Sequence, residues 1–222
     1  MGSLFVFLSP PIGAQAPAQT PPAMTPYQRA VEDRLHNDWA DLAHYQDQNA
    51  KLGPPKPGEK RVVFMGDSIT EFWGQRAPAF FTARPYINRG ISGQTTPQML
   101  VRFRPDVIAL RPRVVVILGG TNDIAGNTGP ETLGMIEDNL MSMADLARAN
   151  GIQVVLASVL PAYEFPWKPG IQPADEIVAL NAWMKGYAAR NGLMYLDYYS
   201  AMVDGRGGLK ADLTVDGVHP NA

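Results

Sequence analysis

Four nearly continuous apolar runs punctuate the chain, at Arg61 to Met65, Val114 to Leu118, Ile152 to Val159 and Leu193 to Tyr198. They are rich in Val, Ile and Leu and do not alternate with polar residues, which is the pattern of strands buried on both faces in a parallel sheet. The stretches between them, Pro97 to Leu110, Pro130 to Asn150 and Pro173 to Asn191, are long enough to be crossover helices. Gly151 and Gly192 stand where helix ends favour a left-handed residue. The pattern predicts an α/β fold, a three-layer α/β/α sandwich with a mainly parallel sheet. In open sheets of this kind reactive groups gather beyond the carboxyl ends of the strands, so the loops after the apolar runs are where chemistry is expected.

Ahead of the first strand the period changes. Tyr27, Val31, Leu35, Trp39 and Leu42 recur every three or four positions and predict an amphipathic helix running to about Leu52, its apolar face packed on the body that follows. Thr25 suits its N-cap, Pro26 its first position and Gln28 a capping box. Gly53-Pro54-Pro55-Lys56-Pro57-Gly58 ends it. Residues 15 to 26, rich in Pro, Ala and Thr, read as a tether. Before it, Leu4 to Leu8 is apolar and Ala14-Gln15-Ala16 resembles an export cleavage site, although no basic residue precedes the apolar run. The expectation is an exported, periplasmic or secreted protein, with a cytoplasmic one as the alternative. The run is far shorter than the about 20 residues a membrane span needs, so no stable membrane insertion is expected. The organisation is then a signal-like and linker segment at 1–25, a helix with a Pro-rich connector at 26–58, and one domain over 59–222.

Composition narrows the function classes. A chain of 222 residues with 45% apolar residues can bury one substantial core. Its 19 basic and 21 acidic residues leave a net charge of −2, without the basic footprint of a nucleic-acid binder. There is no cysteine, hence no disulfide, thiolate metal site or cysteine nucleophile. No metal is expected, since zinc sites normally need several His or Cys ligands and only three histidines exist. The glycines match neither the phosphate-loop nor the dinucleotide pattern, so no cofactor is expected.

The candidate chemistry lies at the strand ends. Ser68 follows the first strand in Gly66-Asp67-Ser68-Ile69-Thr70, a position suited to a nucleophile, though the tripeptide is also ordinary turn chemistry. In Asn88-Arg89-Gly90-Ile91-Ser92-Gly93-Gln94, Gly93 could offer a backbone N–H to a ligand, or Gly90 and Gly93 could simply satisfy a turn. After Val114 to Leu118, Gly119-Gly120-Thr121-Asn122-Asp123 sets a side-chain amide where a developing oxyanion could be met. Asp216 precedes His219 by three residues, so one turn can bring carboxylate and imidazole together. A serine needs such a base, and the base needs a carboxylate to orient it. His36 and His44 fall on the N-terminal helix, where exposed or packing roles are expected, and this leaves His219 as the base. Tyr163, Phe165 and Trp167 concentrate in a Pro-rich loop and form either a pocket wall or a plug onto the core, and Trp73 has the same two readings.

Taken in order, Gly-Asp-Ser-Ile at 66–69, the Gly93 loop, Gly-Thr-Asn-Asp at 120–123 and Asp-x-x-His at 216–219 resemble the four blocks of the SGNH/GDSL hydrolase superfamily, over about residues 60–222. The resemblance implies a flavodoxin-like fold and hydrolysis of acyl esters through an acyl-enzyme. It implies Ser68 as nucleophile, His219 as base, Asp216 as orienting carboxylate, and an oxyanion hole formed by Ser68, Gly93 and Asn122. Asp67 is expected to stabilise the turn and the following helix N-terminus. Family members usually continue into a C-terminal helix, whereas this sequence stops three residues after His219, so the domain is expected to lack that helix and to be less stable for it. A small-molecule or glycan ester is the expected substrate, with short acyl or acetyl groups favoured because no lid or interfacial helix is seen. Thioesterase or lysophospholipase activity with the same triad, and non-catalytic carbohydrate or lipid binding, are the alternatives. Trp73, Tyr163 and Trp167 are the candidate substrate contacts. The N-terminal helix leaves homo-oligomerisation open.

Overall fold

Five strands, Val62–Gly66 (β1), Tyr86–Gly90 (β2), Val114–Leu118 (β3), Gln153–Ala157 (β4) and Met194–Leu196 (β5), form one parallel sheet in the order β2-β1-β3-β4-β5 in the computed structural model, which describes residues 23–221. The signal-like residues at the start of the chain lie outside that range. The helices in chain order are α1 (Pro26–Asn37), α2 (Gln46–Leu52), α3 (Ser68–Arg76), α4 (Pro78–Thr82), α5 (Thr96–Asp106), α6 (Thr121–Ile124), α7 (Leu133–Ala149), α8 (Ala174–Asn191) and α9 (Tyr199–Met202). This strand order is that of flavodoxin-like sheets, in which the connection reverses direction between β1 and β3 and opens a crevice at their carboxyl ends.

Register explains why the strand runs are apolar throughout. Met65, Ile117 and Leu156 align across β1, β3 and β4, all fully buried against the α5, α7 and α8 side. Phe64, Val116 and Val155 align beside them and face the other layer, where Ile69 of α3, Phe81 of α4 and Leu160 pack. An aromatic group of Phe64, Trp73, Phe80, Phe81 and Tyr86 dominates this second layer. Gly151 and Gly192 have φ of 71° and 66° beyond the ends of α7 and α8, as a left-handed helix stop requires.

Two expectations change. β5 is shorter than the apolar run Leu193 to Tyr198, because it pairs only with β4 at the sheet edge and the Leu193 N–H turns back to Ala188 O of α8. The amphipathic helix does not run to Leu52. It starts as expected, with the capping box of Thr25 and Gln28, but stops at Asn37. There the Asp38 carboxylate accepts the N–H groups of Leu42 and Ala43, each at 2.9 Å, and Asp41 takes φ of 54°. A side chain offering the backbone such an alternative ends the helix, and Trp39 and Leu42 are left 38% and 45% exposed instead of packed. The chain then returns through Tyr45, whose hydroxyl donates to Gly90 O and whose ring lies under the Arg89 guanidinium. Burial pushes the Tyr45 phenol up to about 12. In α2, Asn49 donates to the Asp106 carboxylate at 2.6 Å and accepts from Arg89, joining the N-terminal segment to β2 and α5. No helix among the described residues is long and apolar enough to cross a membrane.

Candidate active site

β1 ends at Gly66 because a side chain there cannot be fitted: a Cβ would lie 2.1 Å from Thr70 Oγ1 and 2.9 Å from Leu118 O. The chain turns directly into α3, with Asp67 as its N-cap, accepting the Ile69 N–H at 2.9 Å. Ser68 is therefore the first residue of a helix at the carboxyl end of β1. Asn122, in α6 beyond β3, stands on the other side of the same switch point.

Ser68 Oγ lies 2.8 Å from His219 Nε2, across 151 residues of sequence, and His219 Nδ1 lies 2.7 Å from Asp216 Oδ2. With Nδ1–H donating to the carboxylate, Nε2 is left to accept from the serine hydroxyl. The other oxygen of Asp216 accepts the backbone N–H groups of Val218 at 2.9 Å and His219 at 2.8 Å. Partial burial pushes the Asp216 carboxyl up, but the two backbone N–H bonds and the His219 ring outweigh it and hold Asp216 well below the usual carboxylate range. It is thus ionised at neutral pH. Gly217, at φ of 81°, lets the chain double back between the two residues. Thr214 closes the loop: its Oγ1 lies 2.8 Å from His219 O and 3.2 Å from Asp216 Oδ1, and accepts from Gly217 N at 3.1 Å. Nothing in the sequence pattern had drawn attention to Thr214.

The oxyanion candidates are arranged unequally. Among the described residues neither the backbone N–H of Gly93 nor that of Ser68 has a protein partner. Gly93, at φ of 78°, is exposed, and a Cβ there would meet nothing closer than 3.9 Å. Gly90 has a different reason to be glycine. It is the last residue of β2, and a Cβ would fall 2.2 Å from Glu71 N, so it permits close packing of β2 on α3 and not a turn. Asn122 is 3% exposed. Its Nδ2 donates to Gln94 O at 3.0 Å and, at the long distance of 3.4 Å, to Asp67 Oδ2. The Asp67 bond is the longer and weaker of the two. Desolvation raises Asp67 from 3.8 to about 7, against the opposing backbone hydrogen bonds and Arg102.

Asn127 was not expected. It donates to Asn122 Oδ1 at 2.8 Å and to Gly93 O at 3.2 Å, and accepts the indole N–H of Trp167 at 3.1 Å. Trp167 stands 6.4 Å from the His219 ring, and Phe72 stands 5.1 Å from it on the α3 side. In the Pro-rich loop both readings hold, for different residues: Phe165 is fully buried, while Trp167 and Tyr163 are 39% and 46% exposed. Tyr163 lies against the Arg206 guanidinium. Trp73 stacks on Phe80. It lies in the aromatic group of the second layer and helps line an apolar cavity of about 260 Å³ with Ile69, Leu160 and Met202. His36 pairs with Glu32 and His44 with Asp41, both away from Ser68. Among the described residues no three His, Asp or Glu side chains form a group that could hold a metal ion.

The arrangement can polarise a serine hydroxyl, accept its proton and meet negative charge with free N–H groups. Similar chains have been solved structurally. A GDSL-like lipase from Bacteroides thetaiotaomicron is 49% identical, with a TM-score of 0.82 over 83% of this chain and 91% of that one. A Bacteroides fragilis protein provisionally named an acylhydrolase is 51% identical, with a TM-score of 0.83 over 84% of this chain and 90% of that one. The esterase TesA of Pseudomonas aeruginosa is 31% identical over 134 residues, 60% of each chain. The chain spans 60% of that curated relative and 33% of another that it matches. The family model for the GDSL-like Lipase/Acylhydrolase family matches residues 64–222, which hold every one of the strand-end residues described above, and the chain belongs to that family.

Proposed function

We propose that the protein is a serine ester hydrolase that cleaves short-chain acyl or acetyl esters, including those of O-acetylated carbohydrates, through an acyl-enzyme on Ser68. The observation that carries this reading is the continuous chain Ser68 Oγ, His219 Nε2, His219 Nδ1, Asp216 Oδ2, with links of 2.8 and 2.7 Å. In the first half-reaction Ser68 Oγ attacks the ester carbonyl as its proton passes to His219 Nε2. Asp216, ionised and bound through both oxygens, stabilises the imidazolium that forms. The carbonyl oxygen, becoming negative, receives the N–H groups of Ser68 and Gly93, and the Asn122 amide as its bond to Asp67 yields. His219 then protonates the departing alkoxide. In the second half it takes a proton from water, which attacks the acyl carbon, and returns it to Ser68 as the carboxylic acid leaves. Trp167, 39% exposed and 6.4 Å from the His219 ring, suits a small ring in the substrate.

The test is hydrolysis of p-nitrophenyl acetate by the protein and its Ser68→Ala variant, with a serine-directed phosphonate followed by intact mass. The expected result is turnover reduced by about 10³-fold or more in the variant, as for other triad members, with one adduct that the variant does not acquire. Turnover that survives in Ser68→Ala would sink the assignment.

A further inference from the structure

α1 turns one face toward the Gly93 loop. Val31, Arg34 and Leu35, spaced three and four apart on that face, form one wall of a cavity of about 240 Å³, and Ser92, Gly93 and Asn127 stand on the other. The cavity thus adjoins Gly93, one of the proposed oxyanion donors. Its volume lies below the about 300 Å³ at which drug-sized sites begin, enough for a single small ring.

The chemistry of the walls selects among ligands. Among the described residues the Arg34 guanidinium has one carboxylate partner, Asp41 at 3.1 Å, and keeps further donors for a ligand. Because Asp41 already balances its charge, and Glu71 stands on the opposite side bound to Ser92, the cavity offers no net positive charge to an anion. An aliphatic acyl chain would cover the guanidinium without supplying an acceptor, a costly burial. A neutral ring carrying several hydroxyls supplies acceptors to Arg34 and an apolar face to Val31 and Leu35.

We propose that this cavity is a subsite for the sugar ring of an O-acetylated carbohydrate, with Arg34 as its specificity-determining residue; the proposal rests on the ester hydrolase reading of Ser68. The N-terminal segment ahead of the sheet is then part of the substrate site.

The experiment compares mono-O-acetyl glucose and mono-O-acetyl xylose with p-nitrophenyl acetate, using the protein, Arg34→Ala, and Val31→Trp, which fills the cavity while leaving the guanidinium. The ratio of kcat/KM on either sugar acetate to that on p-nitrophenyl acetate is expected to fall about tenfold in both variants, through KM, the order expected for one hydrogen bond to a charged group. Binding of the same sugar acetates to Ser68→Ala by calorimetry is expected, and to weaken when Arg34→Ala is added. A ratio unmoved in both variants, or equal losses on all substrates, overturns the subsite while leaving the ester hydrolase standing. Arg34-dependent binding without any turnover by the unaltered chain supports the subsite and overturns the hydrolase reading instead.

Discussion

Asn127 ties Asn122 to the Gly93 loop: it donates to Asn122 Oδ1 at 2.8 Å and to Gly93 O at 3.2 Å, and its own N–H reaches Asn122 O at 3.0 Å. Accepting through its Oδ1, Asn122 has no choice but to present its NH₂ toward Gln94 O and Asp67. One side chain therefore orients two of the three proposed oxyanion donors. Asn127→Ala is expected to lower kcat by about 10- to 100-fold, the scale of small misplacements of catalytic groups, with KM nearly unchanged. Steady-state kinetics on p-nitrophenyl acetate measures this. A change confined to KM would mean that Asn127 contacts substrate and does not position Asn122.

Thr214 does for the Asp216 loop what Asn127 does for the amide. Thr214→Val keeps the branched shape but removes the hydroxyl that meets His219 O, Gly217 N and Asp216. Activity should fall about tenfold or more, and labelling by the phosphonate should slow in proportion, since attack by Ser68 itself depends on where the imidazole sits. Fast labelling alongside slow turnover would place the defect in deacylation alone.

Asp67 gives a pH signature of definite sign. Its folded-state value of about 7 lies above the 3.8 of an ordinary Asp. As pH rises through that window the unfolded chain gives up the proton first, so the native state binds more protons and stability falls with rising pH. Asp67→Asn cannot titrate there and can still cap α3. Its stability relative to the unaltered protein should therefore grow from about pH 4 to about pH 7 and then level off, by up to a few kcal/mol. Asp123, also raised to about 7 by burial, is common to both proteins and cancels. Asp216 has the opposite sign: its stabilisation is present above the ordinary carboxylate range and is lost only as pH falls below it. Chemical denaturation across this range reads the difference, and a constant offset would rule out titration of Asp67 in the window.

Gly90→Ala tests why the second loop carries its first glycine. The added methyl would meet Glu71 N at 2.2 Å and Asp67 O at 2.7 Å, both backbone atoms that cannot swing aside. A loss of about 1–3 kcal/mol or more is expected, read as a lower melting temperature, together with reduced activity because α3 carries Ser68. Gly151→Ala, where a Cβ meets nothing within 4 Å, should cost only the left-handed backbone term, about 1 kcal/mol.

The strands were legible because the sheet buries both faces, so Val63 to Met65 and Val115 to Leu118 had to be apolar without alternation. Helix ends at Gly151 and Gly192 were legible because a left-handed stop has a residue signature. The break at Asp38 was not, since an Asp that ends a helix and one that decorates its surface look alike until its carboxylate is seen on the Leu42 and Ala43 N–H groups. The same limit separates the site residues. Ser68 and Asn122 sit in short local motifs at strand ends, and Asp216 and His219 share one tight loop. Asn127 and Phe72 acquire their roles only through partners on other elements, and a residue pair such as Asn127 and Trp167 leaves no spacing to read.

The separation of 151 positions between Ser68 and His219 also orders events in time. During synthesis the serine, its helix and the first three strands are all available before the histidine has been made. Joining the two across so long a stretch costs about 4 kcal/mol of loop-closure entropy unless the intervening sheet has already formed. The proposed ester-cleaving capacity should thus be the last property a newly made or refolding chain acquires, trailing the recovery of secondary structure, with Ser68 inert until the rest of the molecule is in place.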